Sequence, residues 1–338
     1  MSESHGETTD PAGPRGDAST VDPRGAPLKR FLSRYGVILA MVLTFAAFSL
    51  IRPDSFFTLF MFRAILRDCA PLLIASLGVT FVLVMNDYDL SIGGLIALLA
   101  TVSVLLVSTD YVGFSPLLAV LATLAIGAAL AFANGALISY VGLPSFILTI
   151  AMGTVFTGLG LQLTGSSSIY QGIPESYNAI AGGRVFGLSH QVFIACGALA
   201  AAHIFLRHSV AGRYMYAIGG NAEAARLSGV PVRLLKACGF GVVGLAAAIT
   251  AVLLTSQANA ANPNTGFGLL LPAYAAAFLG SSMFRFGTFT AVGTAIGALF
   301  LQIIGSGLTI LNLSGPFIQI IEGAILAAAI SLSRFNRA

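Results

Sequence analysis

The stretch YVGFSPLLAVLATLAIGAALAFANGALISYVGLPSFILTIAMGTVFTGLGLQLTGSSSIYQGIP, Tyr111 to Pro174, runs for 64 residues without Asp, Glu, Lys or Arg. One crossing of a 30 Å hydrocarbon core takes about 20 apolar residues. A run about three times that long must cross, turn and cross again, and Pro116 and Pro144 mark helix starts within it. A second charge-free run, Ala237 to Phe284, covers 48 residues. Backbone in lipid must satisfy its own hydrogen bonds, which leaves helices or closed barrels. The alternating ten-residue strands of a barrel are absent. Composition agrees: 9% of residues are charged and mean hydropathy is +0.90, against about 25% charged in soluble domains. Thirty-eight glycines suit close helix packing in lipid. The expected fold class is an all-α polytopic membrane protein.

Ten spans are expected: Tyr35–Ile51, Pro71–Met85, Leu90–Val107, Pro116–Ile138, Pro144–Leu163, Gln191–Leu206, Ala237–Ser256, Leu269–Met283, Thr288–Ile310 and Phe317–Leu332. Residues 1–34 read as a disordered cytoplasmic tail, 35–333 as the membrane domain and 334–338 as a cytoplasmic C-terminus. Basic residues orient the chain. With the N-terminus in the cytoplasm, 13 of the 17 lie inside and only Arg52, Arg63, Arg67 and Arg184 outside. Both termini and the loop 207–236 are then cytoplasmic. Phe56 to Asp68 reads as an amphipathic segment along the outer surface, with Arg63 and Arg67 four apart among phenylalanines. Spans two to five and seven to ten form similar groups, each preceded by a lead helix. An odd five-span unit repeated once gives two inverted halves.

The chemistry of the polar residues is sparse. No GxxxxGK[ST] phosphate loop is present, and Lys29 and Lys236 are the only lysines. No Ser–His–acid set, HExxH or carboxylate pair points to an enzyme. Few carboxylates lie in the spans, which disfavours a proton-coupled carrier. Cys69, Cys196 and Cys238 have no CxxC spacing and read as packing residues. His203 reads as an interior histidine. No cofactor, metal or nucleic-acid partner is expected.

What stands out is the loop GRYMYAIGGNAEAARLSGV, Gly212 to Val230. Asn221 is a candidate N-cap, and Ala222–Ser228 a two-turn helix with Glu223 in its first turn. Gly229 suits the left-handed position after it, and Pro231 forbids continuation. Such a helix reads as a docking peg or as an ordinary solvated loop. Leu227, Ala224 and Ala225 are the candidate apolar contacts, with Glu223 and Arg226 on the rim. A second island, NDYDLSIGG, interrupts an apolar hairpin from Asn86 to Gly94. Asp87 and Asp89 are costly in lipid unless they meet water or donors, so a gate stands against a plain interfacial turn. Asn134 among small residues and Glu322 in the last span complete the polar set.

GVTFVLVMNDYDLSIGG resembles a motif of the permeases of monosaccharide ABC importers of the ribose/xylose/arabinose type. ANGALISYVGLPSFILTIAMG, the loop GRYMYAIGGNAEAARLSGV and the stretch AAAFLGSSMFRFGTFTAVGTAIGALFLQIIGSGLTIL resemble three more, in order, from about residue 35 to 333. The chain departs from the pattern at Asn86-Asp87-Tyr88, Phe278-Leu279-Gly280 and Glu322. The resemblance implies a type II ABC importer-like permease of a bacterial inner membrane, working by alternating access with a second permease copy. Its further partners would be separate ATP-binding subunits and a periplasmic or lipid-anchored sugar-binding protein. Asn221, Ala222, Glu223, Ala224, Ala225, Arg226, Leu227, Ser228 and Gly229 would couple it to the ATPase. Asn86, Asp87, Asp89, Ser91 and Asn134 would lie at the gate or pathway. The alternatives are a nucleoside or branched-chain amino acid ABC permease, and a carrier that works without ATP.

Overall fold

The computed structural model describes residues 26–282 and 287–335. The expected tail up to Gly25, and also Arg285 and Arg337, lie outside the described residues. So do the side chains of Lys29, Arg30, Arg34, Glu322 and Arg334.

The chain is helical almost throughout. In order the helices are α1 (Ala26–Ile51), α2 (Pro53–Phe56), α3 (Leu59–Val84), α4 (Ile92–Val107), α5 (Pro116–Ala136) and α6 (Ser145–Thr164). There follow α7 (Glu175–Gly182), a two-stranded hairpin of β1 (Arg184–Val185) and β2 (Leu188–Ser189), α8 (His190–His208), α9 (Val210–Gly220) and α10 (Ala222–Leu227). The last four are α11 (Val232–Ala258), α12 (Phe267–Ser281), α13 (Ala291–Ile310) and α14 (Gly315–Phe335). Each expected span falls on one of these helices. Among the described residues, six helices are long and apolar enough to cross a membrane, and four apolar helices are shorter. This is a multi-pass helical membrane protein.

Three boundaries differ from expectation. Helix α1 begins at Ala26, so the expected tail boundary at residue 34 falls inside a helix; Pro27 stands at its start, where a missing N–H does least harm. The segment Phe56 to Asp68 is not a separate surface helix. Thr58 caps α3, accepting from Met61 N at 3.1 Å, and the helix then runs unbroken through Pro71 into the core. The arginines that suggested a surface helix are held elsewhere: Arg67 Nε donates to Asp68 Oδ1 at 2.7 Å, and Arg63 lies over Gly187. Helix α5 continues as a π-helical turn, Leu137–Val141, that ends at Gly142 with φ +83°.

The core is built around α3 and α11, the two most buried of the long helices. They cross antiparallel. A Cβ on Gly78 would come within 2.6 Å of Ala246 Cβ, and Thr250 Oγ1 donates to Pro71 O at 3.4 Å. Glycines set the close crossings elsewhere too: Gly127 against Gly244 between α5 and α11, Gly280 against Gly293 between α12 and α13. Such contact lets backbones approach where lipid gives no hydrophobic drive to associate.

The packing of α3–α6 is repeated by α11–α14. Where α3 packs on α12 and α13, α11 packs on α4 and α5. Where α4 touches α5 and α6, α12 touches α13 and α14. Exchanging the two sets of helices leaves these packing pairs unchanged. The short helices α4 and α12 are counterparts under that exchange. Their N-terminal ends meet: a Cβ on Gly266 would lie 2.0 Å from Gly93 O.

Candidate functional site

Ser209 joins α8 to α9. It is the C-cap residue of the first and accepts from Gly212 N at 2.8 Å as N-cap of the second. Helix α9 escaped the sequence reading because its glycines and tyrosines resemble a loop. It lies against the membrane domain. Met215 and Ile218 are buried, and Tyr216 Oη donates to Phe289 O at 2.7 Å. Gly219 rests on the end of α3, where a Cβ would sit 2.0 Å from Val84 O.

At Asn221 the chain is extended, φ −159°, and the side chain folds back. Its Oδ1 accepts from Glu223 N at 3.1 Å and Ala224 N at 3.0 Å, closing two of the open donors of α10. The helix ends at Leu227, with Ser228 as C-cap, one residue short of the expected end at Ser228. Gly229 takes φ +83°. Val230 N donates to Ala225 O at 3.1 Å and Gly229 N to Arg226 O at 3.0 Å. This pair of bonds is the Schellman termination. The apolar contact that accompanies it is also present, because Val230 and Ala225 are buried in one cluster with Leu206, Met215 and Ile218.

That cluster corrects the expected contact face. Ala225 points into the chain's own core and is only 6% exposed, so it cannot meet a partner. A helix this short needs one face to hold it down, and Ala225 is that face. The outward face carries Glu223, Ala224, Arg226, Leu227 and Ser228, while Ala222 is half-buried. Leu227 is 77% exposed. Arg226 Nη2 meets Glu223 Oε1 at 2.5 Å and Nε meets Oε2 at 3.0 Å. The hydrogen bond from Arg226, with its charge, holds the Glu223 carboxyl below its ordinary value. An exposed pair of this kind contributes little stability and serves to fix the two side chains.

The second island, Met85 to Ser91, joins α3 to α4. Asn86 turns the chain with φ +59° and is exposed. Asp87 is nearly buried and faces Lys236 at the start of α11, Nζ to Oδ2 2.8 Å. This partner of Asp87 was not legible in the sequence, since 236 lies far along the chain. Its signal was scarcity: Lys236 is one of two lysines. The pair joins the island to the end of the α9–α10 loop.

Asp89 is fully buried and one of its carboxylate oxygens is engaged by donors. Its Oδ1 accepts from Ser91 N at 2.9 Å and from Ser91 Oγ at 2.5 Å, an Asx-type turn that leads into α4. Asp89 N donates to Tyr274 Oη on α12 at 2.8 Å, and Leu90 N donates to Thr149 Oγ1 on α6 at 3.1 Å. The Tyr88 ring stacks on Tyr274, centroids 6.4 Å apart and planes 19° apart. Asp89 Oδ2 is buried with no hydrogen-bond partner among the described residues. Asp87, Asp89 and Ser91 thus gather on one junction with Lys236 and Tyr274, both missed from sequence. Asn134 stands apart from them. It is buried on α5 beside Gly135, which packs on Ala237 and Phe240 of α11, and its Nδ2 has no partner among the described residues. Among the described residues, no group of three or more His, Cys, Asp or Glu could hold a metal ion.

The arrangement offers a capped peg and a buried polar junction in a helical membrane domain. The family described as "Branched-chain amino acid transport system / permease component" matches residues 61–330. The chain is 31% identical to the ribose import permease protein RbsC of Escherichia coli (strain K12), over 92% of this chain and 97% of that one. It is 29% identical to the L-arabinose ABC transporter permease protein AraH of Azospirillum brasilense, over 91% and 89%. With the D-allose transport system permease protein AlsC of Escherichia coli (strain K12) it shares 27%, over 90% and 92%.

Proposed function

The chain belongs to the branched-chain amino acid transport system / permease component family, among its ribose, arabinose and allose permeases, and on that premise we propose that it is the membrane subunit of an ATP-driven monosaccharide importer. It crosses a bacterial inner membrane ten times with both termini cytoplasmic, as two inverted halves. The repeated packing of α3–α6 and α11–α14 supports the halves, and the 13-to-4 distribution of basic residues supports the orientation. Two copies enclose the pathway. A sugar-binding protein delivers the solute outside, and separate ATP-binding subunits inside drive alternating access.

The observation that carries the reading is α10. A six-residue helix capped at both ends, pinned by Ala225 and Val230, presents Leu227 outward with nothing over it among the described residues. Order in so short a helix is costly to maintain without tertiary support. We assign the segment Asn221 to Gly229 to the ATPase contact through its outward residues, with Leu227 as apolar anchor and Ala225 as the inward pin. The junction of Asp87 and Asp89 is the candidate gate, which Lys236 ties to the coupling loop; Asn134 belongs to the neighbouring pathway wall.

Replacing Leu227 by Arg tests this. The residue is exposed, so the membrane domain keeps its thermal midpoint. Burial of a leucine against a partner contributes about 1.5–3 kcal/mol, so ATPase retention in a pull-down falls about tenfold or more, and sugar uptake with it. Normal retention and uptake by Leu227→Arg would remove α10 from the coupling role. Uptake driven by an ion gradient with the chain alone in liposomes would overturn the ATP-driven reading as a whole.

A further inference from the structure

A crevice of about 250 Å³ opens between α3, α8 and α11, on the side of the core away from the α4–α12 crossing. Its floor is Ile74, Leu77 and Phe81 of α3 with Ala246 of α11, all buried; its rim is exposed at Ala201 and Leu245. No charged side chain lines it. From residue 74 to 81 the crevice follows α3 for about 10 Å at 1.5 Å per residue, a fraction of a 30 Å hydrocarbon core. A trough of that length, lined by apolar side chains beside membrane-spanning helices, suits an acyl chain.

Charge at one end distinguishes the chain that fits. Ala198, Ala201, Ala202 and Phe205 line the crevice from α8 at helical spacing. The same stripe continues one turn on to His208, the last residue of α8. Arg213 of α9 reaches the end of this stripe, where its Nη1 donates to His208 O at 3.4 Å. His208 and Arg213 are both exposed. Helices α8, α9 and α11 contain no Asp or Glu, and Asp87, the acid beside them, is engaged by Lys236. Among the described residues, the apolar trough thus ends at a basic group that no acid pairs. Basic groups at the mouth of a groove between membrane helices suit phosphate headgroups.

We propose that this crevice binds an anionic phospholipid, with one acyl chain in the trough over Ala246 and the headgroup phosphate on His208 and Arg213. The site is separate from the coupling loop contact and does not depend on which solute is carried. By filling a gap between α8 and the α3–α11 pair, the lipid would hold α8, and through Ser209 the base of the coupling loop, in place.

Native mass spectrometry of the purified full chain, offered phosphatidylglycerol or phosphatidylcholine with matched acyl chains, tests the site. Phosphatidylglycerol is retained at least about fivefold over phosphatidylcholine, the value of roughly one basic residue near a charged headgroup. The variant Arg213→Gln brings the ratio close to one while both lipids still bind. Ala201→Trp, which fills the rim, removes both lipids, with an unchanged thermal midpoint as the check on folding. Retention untouched by Ala201→Trp, or no retained lipid in the parent chain, overturns the proposal. So does an Ala201→Trp chain that changes oligomeric state without losing lipid, which would make the crevice a contact between copies.

Discussion

The molecule has two long connections of similar length, one between α6 and α8 and one between α8 and α11, and they are folded on opposite principles. The first, residues 165–189, closes on its own domain. Tyr177 of α7 is fully buried, and its hydroxyl meets Thr255 Oγ1 at 2.7 Å and Ser103 Oγ at 3.2 Å. Ser256 Oγ donates to Tyr177 O at 2.7 Å and accepts from Ala181 N at 2.9 Å. Ile169 bridges Ala261, and Ser108 Oγ donates to Gln171 O at 2.9 Å. The second connection, residues 209–231, buries only one face and turns its charged pair and Leu227 outward. A connection tied to its own domain through a buried tyrosine and a chain of hydroxyls is a lid or a brace, even with Phe186 93% exposed at the tip of its hairpin. The second connection has no such buried polar anchor in its helix α10, and holds Leu227 out beside a charged pair on a helix capped at both ends, the arrangement of a surface that something else covers.

The largest test of the contrast is Tyr177→Ala. It empties a buried aromatic site and leaves the hydroxyls of Ser103 and Thr255 without their shared partner. The expected loss is about 3–5 kcal/mol of stability, read as a lowered thermal midpoint, with no loss of ATPase binding by the chain that remains folded. Tyr177→Phe keeps the ring and isolates the hydroxyl's share, about 1 kcal/mol. If Tyr177→Ala is as stable as the parent, the first connection is not a brace and the contrast with the second collapses.

What could be read from sequence divides along the same line. Features set by a few neighbouring residues were legible: the Asn221 cap, the left-handed Gly229, the ends of the apolar runs. Those set by a distant partner were not. Nothing local shows that Tyr177 reaches Thr255, that Asp87 meets Lys236, or that Asp89 N meets Tyr274. Alanine is silent about direction, so Ala225 read as a contact for a partner when it is the residue that pins α10 to its own domain. The reading of Phe56 to Asp68 as a separate surface segment failed because nothing local shows that the helix begun at Leu59 continues through Pro71 to Val84. The all-helical membrane class and the family were carried by hydropathy and motif order, both of which survive such errors.

The intermediate test sits where the second connection returns to the membrane. Asp87 and Lys236 are an ion pair mostly removed from water, Asp87 more so than Lys236. Asp87→Asn leaves the ammonium with half of its interaction, a loss of about 2 kcal/mol. Adding Lys236→Met removes the stranded charge and recovers most of that stability. If the pair links the junction to the loop, the double variant is stable yet takes up sugar slowly, whereas a pair that only stabilises would have uptake restored along with the midpoint. Full recovery of both would confine the link to packing.

The smallest test asks whether the outward face of α10 depends on its geometry or only on its residues. Gly229 has φ +83°, and a Cβ built there meets no atom within 4 Å. Crowding therefore cannot explain an effect of substitution, and only the backbone remains. Valine in the left-handed region costs about 1–2 kcal/mol, enough to open the Schellman bonds of Val230 N and Gly229 N but too little to unfold a domain of this size. Alanine carries the Cβ penalty without the branching and costs less. The expected series is a thermal midpoint within a degree or two of the parent for Gly229→Ala and Gly229→Val. ATPase retention falls in the order Gly, Ala, Val, because Leu227 is displaced as the cap opens. The same change at Gly142, also at φ +83° with no atom within 4 Å of a built Cβ but in the α5–α6 turn outside the coupling loop, should leave retention alone. Equal losses at the two glycines would mean that left-handed strain anywhere disturbs the chain, and the second connection would lose its claim to be specially poised.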